Sequence, residues 1–179
     1  MKKNIIYILL FVLGSSFLAS CEGFLNKEPI SSLSSNKFWK SESDIESGTA
    51  AMYYSLSQAM RSHFFSWGEL RGGNWSPHLH HGVSQEELIN HNISETNDAC
   101  KWTHLYRAIN RANLVLKYVT DMKNTSPTTA NKAIGEAYAI RALCYFYIIR
   151  VWGDAPLFLE AVESFDTETS YKERTDKNI

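Results

Sequence analysis

From Ala137 to Trp152 only Arg141 and Arg150 interrupt an unbroken run of apolar and aromatic residues. Wound as a helix, such a run is apolar on nearly every side, so it needs cover on nearly every side. It is too short and too charged for a bilayer, which asks for about 20 apolar residues. A lone surface helix is thereby excluded, and the stretch belongs inside a helical assembly. Its frame is readable. Pro127 stands near a helix start, Ala130, Ala133, Ala137, Ile140, Cys144 and Ile148 recur at helical spacing, and Gly153-Asp154-Ala155-Pro156 ends the run. The expectation is one helix over Thr128–Val151, entered through a turn from Asn124 to Thr129.

Two further helices precede it. Ser43-Asp44-Ile45-Glu46 has the form of a capping box, and Ile45, Thr49, Met52, Tyr53, Leu56 and Met60 follow at helical spacing, predicting a helix over Asp44–Ser62. Asn97 or Asp98 can cap another, in which Trp102, Leu105, Tyr106, Ile109, Ala112, Leu116 and Val119 trace one stripe to about Met122. Between them, Phe64 to Ser94 carries Gly68, Gly72, Gly73, Pro77 and Gly82 with no regular period, which reads as a long loop holding a short helix at Gln85–Asn90. Loops beyond about 15 residues are usually functional, so this is the first place to seek a binding surface. The last two long helices, joined by a short turn, form a hairpin of tetratricopeptide type, although the repeat consensus is not clean. Such hairpins bury both faces only against stacked neighbours. The polar tail from Ser164 to Ile179 has no evident partner element.

The N-terminus sets the compartment. Lys2 and Lys3 precede the apolar stretch Ile5–Leu13, and Leu18-Ala19-Ser20-Cys21 looks like the lipobox of bacterial lipoproteins. Residues 1–20 are expected to be a lipoprotein signal peptide, with lipidation at Cys21. Cleavage leaves 16 basic against 19 acidic residues, a net charge of −3. With about 0.8 kcal/mol per buried methylene, two or three acyl chains anchor a protein without its spanning the membrane. Glu22 leaves the choice of membrane open. Residues 21–42, rich in serine and asparagine, read as a lipidated tether, 43–163 as the helical domain, and 164–179 as a polar tail. The near-zero charge of the whole chain, −1, gives no basic field for nucleic acid, and 13% aromatic residues argue against disorder. Cys100 and Cys144 read as two small buried thiols, with a bridge between them as the alternative that this compartment permits.

Several segments together resemble the SusD/RagB family, surface lipoproteins of Bacteroidetes that capture glycans for a TonB-dependent transporter. Phe24-Leu25-Asn26 with Pro29 is similar to the family's Phe-Leu-Asp and proline, Asn26 standing where aspartate is usual. Phe38-Trp39 opens a helix with Ala50, Ala51 and Tyr53. Trp102, Leu105, Tyr106, Ile109, Asn110, Ala112, Asn113 and Leu116 resemble its Trp-x-x-Leu-Tyr-x-x-Ile-x-x-Ala-Asn helix. Glu136-Ala137, Arg141-Ala142-Leu143, Tyr145-Phe146 and Arg150 through Leu157 resemble its Arg-Ala helix ending in Gly-Asp-x-Pro-Leu. The resemblance implies an all-α fold of tetratricopeptide-like helical hairpins with a long irregular loop, an incomplete SusD-like domain whose end at 164–179 is a truncation point. It implies an outer-membrane, lipid-anchored, cell-surface protein with a SusC-like TonB-dependent transporter and a glycan or oligosaccharide as partners, no nucleic acid, and no cofactor. The alternative is a truncated helical-repeat scaffold that binds only protein partners.

A sugar is gripped by aromatic faces against its C–H faces and by amides and charged forks on its hydroxyls. Trp67, Arg71, Asn74, Trp75 and His78 offer that mixture within the loop, with Trp75 the foremost candidate; the alternative is that the tryptophans fold back onto the helices. His78-Leu79-His80-His81 lacks a cysteine or spaced carboxylate to complete a tetrahedral metal site, so no metal is expected. Glu86 and Glu87, about 100° apart on a helix, cannot flank one glycosidic bond, and no other catalytic signature appears, so an enzyme is not expected. Trp102, Tyr106, Asn110, Asn113, Arg141, Arg150, Gly153, Asp154 and Pro156 are structural motif residues, expected to supply packing and buried hydrogen bonds between hairpins. Asp154 is a candidate partner of Arg141 or Arg150.

Overall fold

The computed structural model describes residues 38–74, 82–163 and 174–175. Helix α1 covers Glu42–Phe65 and runs without a break into a π-helical turn, Ser66–Leu70. A short helix α2, Val83–Ile89, and a 3-10 turn, Asp98–Cys100, lead to α3, Thr103–Val119, and α4, Pro127–Trp152. Helices α3 and α4 form the expected hairpin, and α1 packs against both. The buried centre joins Ile45, Met52 and Ala59 of α1 to Leu105, Ile109, Ala112, Val115 and Val119 of α3 and to Ala137, Ile140, Cys144 and Ile148 of α4. Among the described residues no helix is long and apolar enough to cross a membrane.

The helix boundaries differ from the expectation for local reasons. The cap of α1 sits two residues earlier than Ser43: the Asp44 carboxylate accepts the amides of Lys40 and Ser41 and the Ser41 hydroxyl, at 3.1, 2.8 and 2.7 Å. These donors hold the Asp44 carboxyl below its usual range, the Ser41 hydroxyl being the largest influence. Asn97 does cap, but it caps the 3-10 turn by accepting from the Ala99 amide at 2.9 Å, and α3 begins only after Trp102. Helix α1 also does not stop at Ser62. The π turn carries it eight residues further, into what reads from sequence as loop, because its wider register turns both Trp67 and Leu70 inward.

Two glycines do structural work that no other residue performs. A methyl group on Gly48 would lie 2.3 Å from the Trp39 ring, so glycine lets that indole lie on α1, where it stacks on Tyr118 at 5.5 Å with planes 10° apart. Gly153 has φ +77°, and its freedom there releases the chain from α4 into an extended strap, residues 154–163. At the strap's start Ala155–Pro156 (β1) pairs antiparallel with Arg174–Thr175 (β2), Ala155 opposite Thr175. The polar tail thus does have a partner, contrary to the sequence reading.

The motif residues of α3 and α4 serve this strap. Extended backbone without a neighbouring strand needs partners for its N–H and C=O groups, and here side chains provide them. Asn110 acts as a surrogate strand, its amide donating to the Val162 carbonyl at 2.9 Å while its oxygen accepts the Val162 amide at 2.7 Å. Asn113, 2% exposed, donates to the carbonyls of Phe158 and Glu160 at 3.0 and 2.9 Å and accepts from Arg141 at 2.9 Å. Arg141 donates again to the Leu159 carbonyl at 3.2 Å, and Tyr106 to that of Pro156 at 2.8 Å. Tyr145 meets both polar groups of Phe158. Tyr106, Asn110, Asn113 and Lys117 are spaced to share one helix face, and Lys117 with Tyr118 holds Glu163 at the strap's far end. The expected hydrogen bonds between hairpins are therefore bonds from the hairpin to its own exit strap. Arg150 lies over the Phe146 ring, 5.1 Å from its centroid.

Candidate functional site

The segment with the sugar-binding mixture leaves the π turn at Arg71 and returns at Gly82, and both its ends are pinned. On the first side the Trp67 indole N–H donates to the Ala99 carbonyl at 2.7 Å, and its ring is 8% exposed. The ring sits edge-on to Trp152 at 5.3 Å and near His63 and Tyr147 at 5.8 and 6.4 Å. Trp152 extends the cluster to Trp102 at 5.8 Å and donates to the Cys100 carbonyl at 3.1 Å. Burial beside these rings lowers the His63 pKa below its ordinary value. Arg71 donates to the Val151 carbonyl at 2.9 Å, tying the loop to the last turn of α4. There its charge meets an orphan carbonyl at a helix C-terminus, a favourable placement.

On the returning side, Leu70, Leu88 and Ala99 form a second small core with Ile89 and Ile93 against it. Asn97, 3% exposed, donates to the Ser84 carbonyl at 2.9 Å and to Glu87 at 2.7 Å. Glu87 also accepts the Ser94 amide and hydroxyl. These bonds, the one from Asn97 foremost, hold the Glu87 carboxyl below its usual range. Glu87 is thus a brace for the loop's return.

Of the residues read from sequence as binding candidates, Trp67 folds into the core and Arg71 is committed to α4, which makes both of them supports. Asn74 is exposed at the end of a turn in which Gly72 and Asn74 donate to Gly68 and Glu69. Trp75 and His78, with the histidine run to His81, lie outside the described residues. Sequence reasoning missed Asn97 and Glu87 as organisers of the site; their signal is an amide and a carboxylate ten residues apart on either side of a turn, too weak to find without coordinates. Among the described residues no three His, Cys, Asp or Glu side chains are placed to hold a metal ion. Cys100 and Cys144 are free thiols; burial raises both, Cys144 to about 12.

The helical hairpin braced by its exit strap belongs to a class of protein that comparison identifies. Residues 23–177 match a SusD-like family described as starch-binding and associating with the outer membrane. The chain belongs to the SusD/RagB family. It is 36% identical over 168 residues to SusD-like protein P38 of Formosa agariphila, covering 93% of this chain and 33% of that one. A SusD-like protein of Bacteroides ovatus is 24% identical over 145 residues, covering 76% and 25%. Among solved structures, NanU of B. fragilis superposes with a TM-score of 0.67 at 25% identity, over 85% of this chain and 30% of NanU. The chain spans about a third of the length of the first relatives it matches.

Proposed function

We propose that the protein is a non-catalytic outer-membrane lipoprotein, anchored through acylated Cys21 at the cell surface, which binds glycan or another nutrient and delivers it to a SusC-like TonB-dependent transporter. Residues 1–20 act as the signal peptide, 21–42 as the tether, and 43–163 as the helical domain that carries the loop. The observation that carries the reading is the double pinning of the 71–82 segment, by Trp67 and Arg71 on one side and by Asn97 with Glu87 on the other. Anchored flanks lower the entropy cost of ordering Asn74, Trp75 and His78 on a sugar. The mechanism is capture and hand-over without bond breaking. Extraction of the protein from its native outer membrane, followed by transporter co-purification and a glycan array, tests it. Glycan binding with an acylated Cys21 and a co-purifying transporter is the expected result. A transporter without any glycan binding supports the protein-only scaffold, and turnover of oligosaccharide overturns the non-catalytic reading.

A further inference from the structure

A half-open groove of about 480 Å³ lies between the first halves of α1 and α4, within the usual size range of small-ligand sites. Glu136 on its wall and Val151, where Arg71 grips, are 15 residues apart on one helix, about 22 Å along its axis at 1.5 Å per residue, so the groove is separate from the Arg71 anchor. Its floor is apolar, made by buried Ile45 and Ala133, with Ala50 exposed beside them. Its rim carries the Tyr53 ring, 46% exposed, the Thr128 and Thr129 hydroxyls, the Glu46 and Glu136 carboxylates and the Lys132 ammonium. Thr49, also lining it, has a hydroxyl shut off from solvent with no hydrogen-bond partner. No ion pair joins Glu46, Lys132 or Glu136 to another described residue.

We infer that this groove is a second binding site, specific for neutral saccharide. An exposed aromatic ring beside several unspent hydroxyl donors and acceptors is the chemistry that holds a pyranose, the ring covering its C–H face. Two carboxylates against one ammonium repel carboxylated, sulfated or phosphorylated ligands and accept hydrogen bonds from neutral hydroxyls. A helical peptide would need a row of apolar anchors, which this shallow floor does not offer. A comparable groove of about 460 Å³ beside the strap differs in this respect, because Asn113 and Arg141 there are already spent on the strap. The inference stands independently of the loop's role.

The test uses the detergent-extracted whole protein with threonine-selective 15N labelling, so that the amides of Thr49, Thr128 and Thr129 report on the groove. The probes are maltose, cellobiose, mannobiose, galactobiose and xylobiose, with digalacturonic acid as the charged control. At least one neutral disaccharide should shift these amides saturably. The shifts should persist in Trp75→Ala and Tyr53→Phe, weaken about tenfold in affinity in Tyr53→Ala, and be absent with the acidic probe. Thr129→Val, a change on the exposed rim, should also weaken them. The inference is overturned if no neutral probe shifts these amides, if Tyr53→Ala leaves the affinity unchanged, or if digalacturonic acid binds as well. Loss of the shifts in Trp75→Ala would equally overturn it, by assigning them to the loop.

Discussion

The two faces of α4 are made of similarly apolar residues and meet opposite fates. The inner face, Ala133, Ala137, Ile140, Cys144 and Ile148, is at most 4% exposed, while Tyr138, Leu143, Phe146 and Ile149 on the outer face are 37–53% exposed. What separates them is helical register: α1 and α3 close over the inner face, and on the outer side Phe146 packs edge-on to Tyr147 and Tyr147 to Phe64. The buried side follows helical spacing, with Ala133, Ala137, Ile140, Cys144 and Ile148 recurring every three or four residues.

Substitution can sharpen or break that contrast. Ile148→Ala should have the largest effect, lowering stability by about 2–5 kcal/mol through loss of buried surface and a residual cavity, read from the urea midpoint. Asn113→Ala should come next. Each buried group it leaves unpaired costs about 1–3 kcal/mol, and Arg141 together with two strap carbonyls loses its partner, so the strap should become cleavable by protease under native conditions. Tyr138→Ser on the outer face should cost less than about 1 kcal/mol; a loss equal to that of Ile148→Ala would show the outer face to be packed. In native thiol labelling Cys100 should react well before Cys144, which is fully buried and whose thiol burial holds protonated.

The smallest effect concerns pH and the loop. Glu87 is held below its ordinary value, so the contribution of its bonds to Asn97 and Ser94 is present above the usual carboxylate range and is lost as pH falls through its depressed value. Amide exchange at Ser94 and Ala99 should quicken on acidification through that range, and Glu87→Gln should flatten the dependence. Exchange that stays unchanged would remove Glu87 from its bracing role.

Much of this fold is legible in the sequence because the relevant forces are local. Pro127 and Gly153 bound α4 through backbone geometry, and the Leu105, Ile109, Ala112, Val119 stripe follows from helical period alone. The strap is not legible in the same way. Tyr106, Asn110, Asn113 and Arg141 announce buried polar work, but their partners are backbone carbonyls 18 to 52 residues away, which carry no side-chain signature. The π turn escaped for a related reason, since Gly68 within Ser66–Leu70 reads as a loop signal while tertiary burial of Trp67 and Leu70 holds the helix together. At the candidate site, the burial of Trp67 and the bond from Arg71 to Val151 depend on tertiary packing, which the residue types alone do not show.

Trp67 and Arg71 on one flank, and Asn97 with Glu87 on the other, anchor the chain on either side of the segment proposed to bind glycan. Affinity electrophoresis of the whole protein through polysaccharide gels, wild type beside Trp75→Ala, tests this most directly. Retardation in at least one polysaccharide that Trp75→Ala abolishes, with unchanged mobility in plain gel, is the predicted result. Equal retardation of both proteins, or none in any polysaccharide while the transporter still co-purifies, would contradict it.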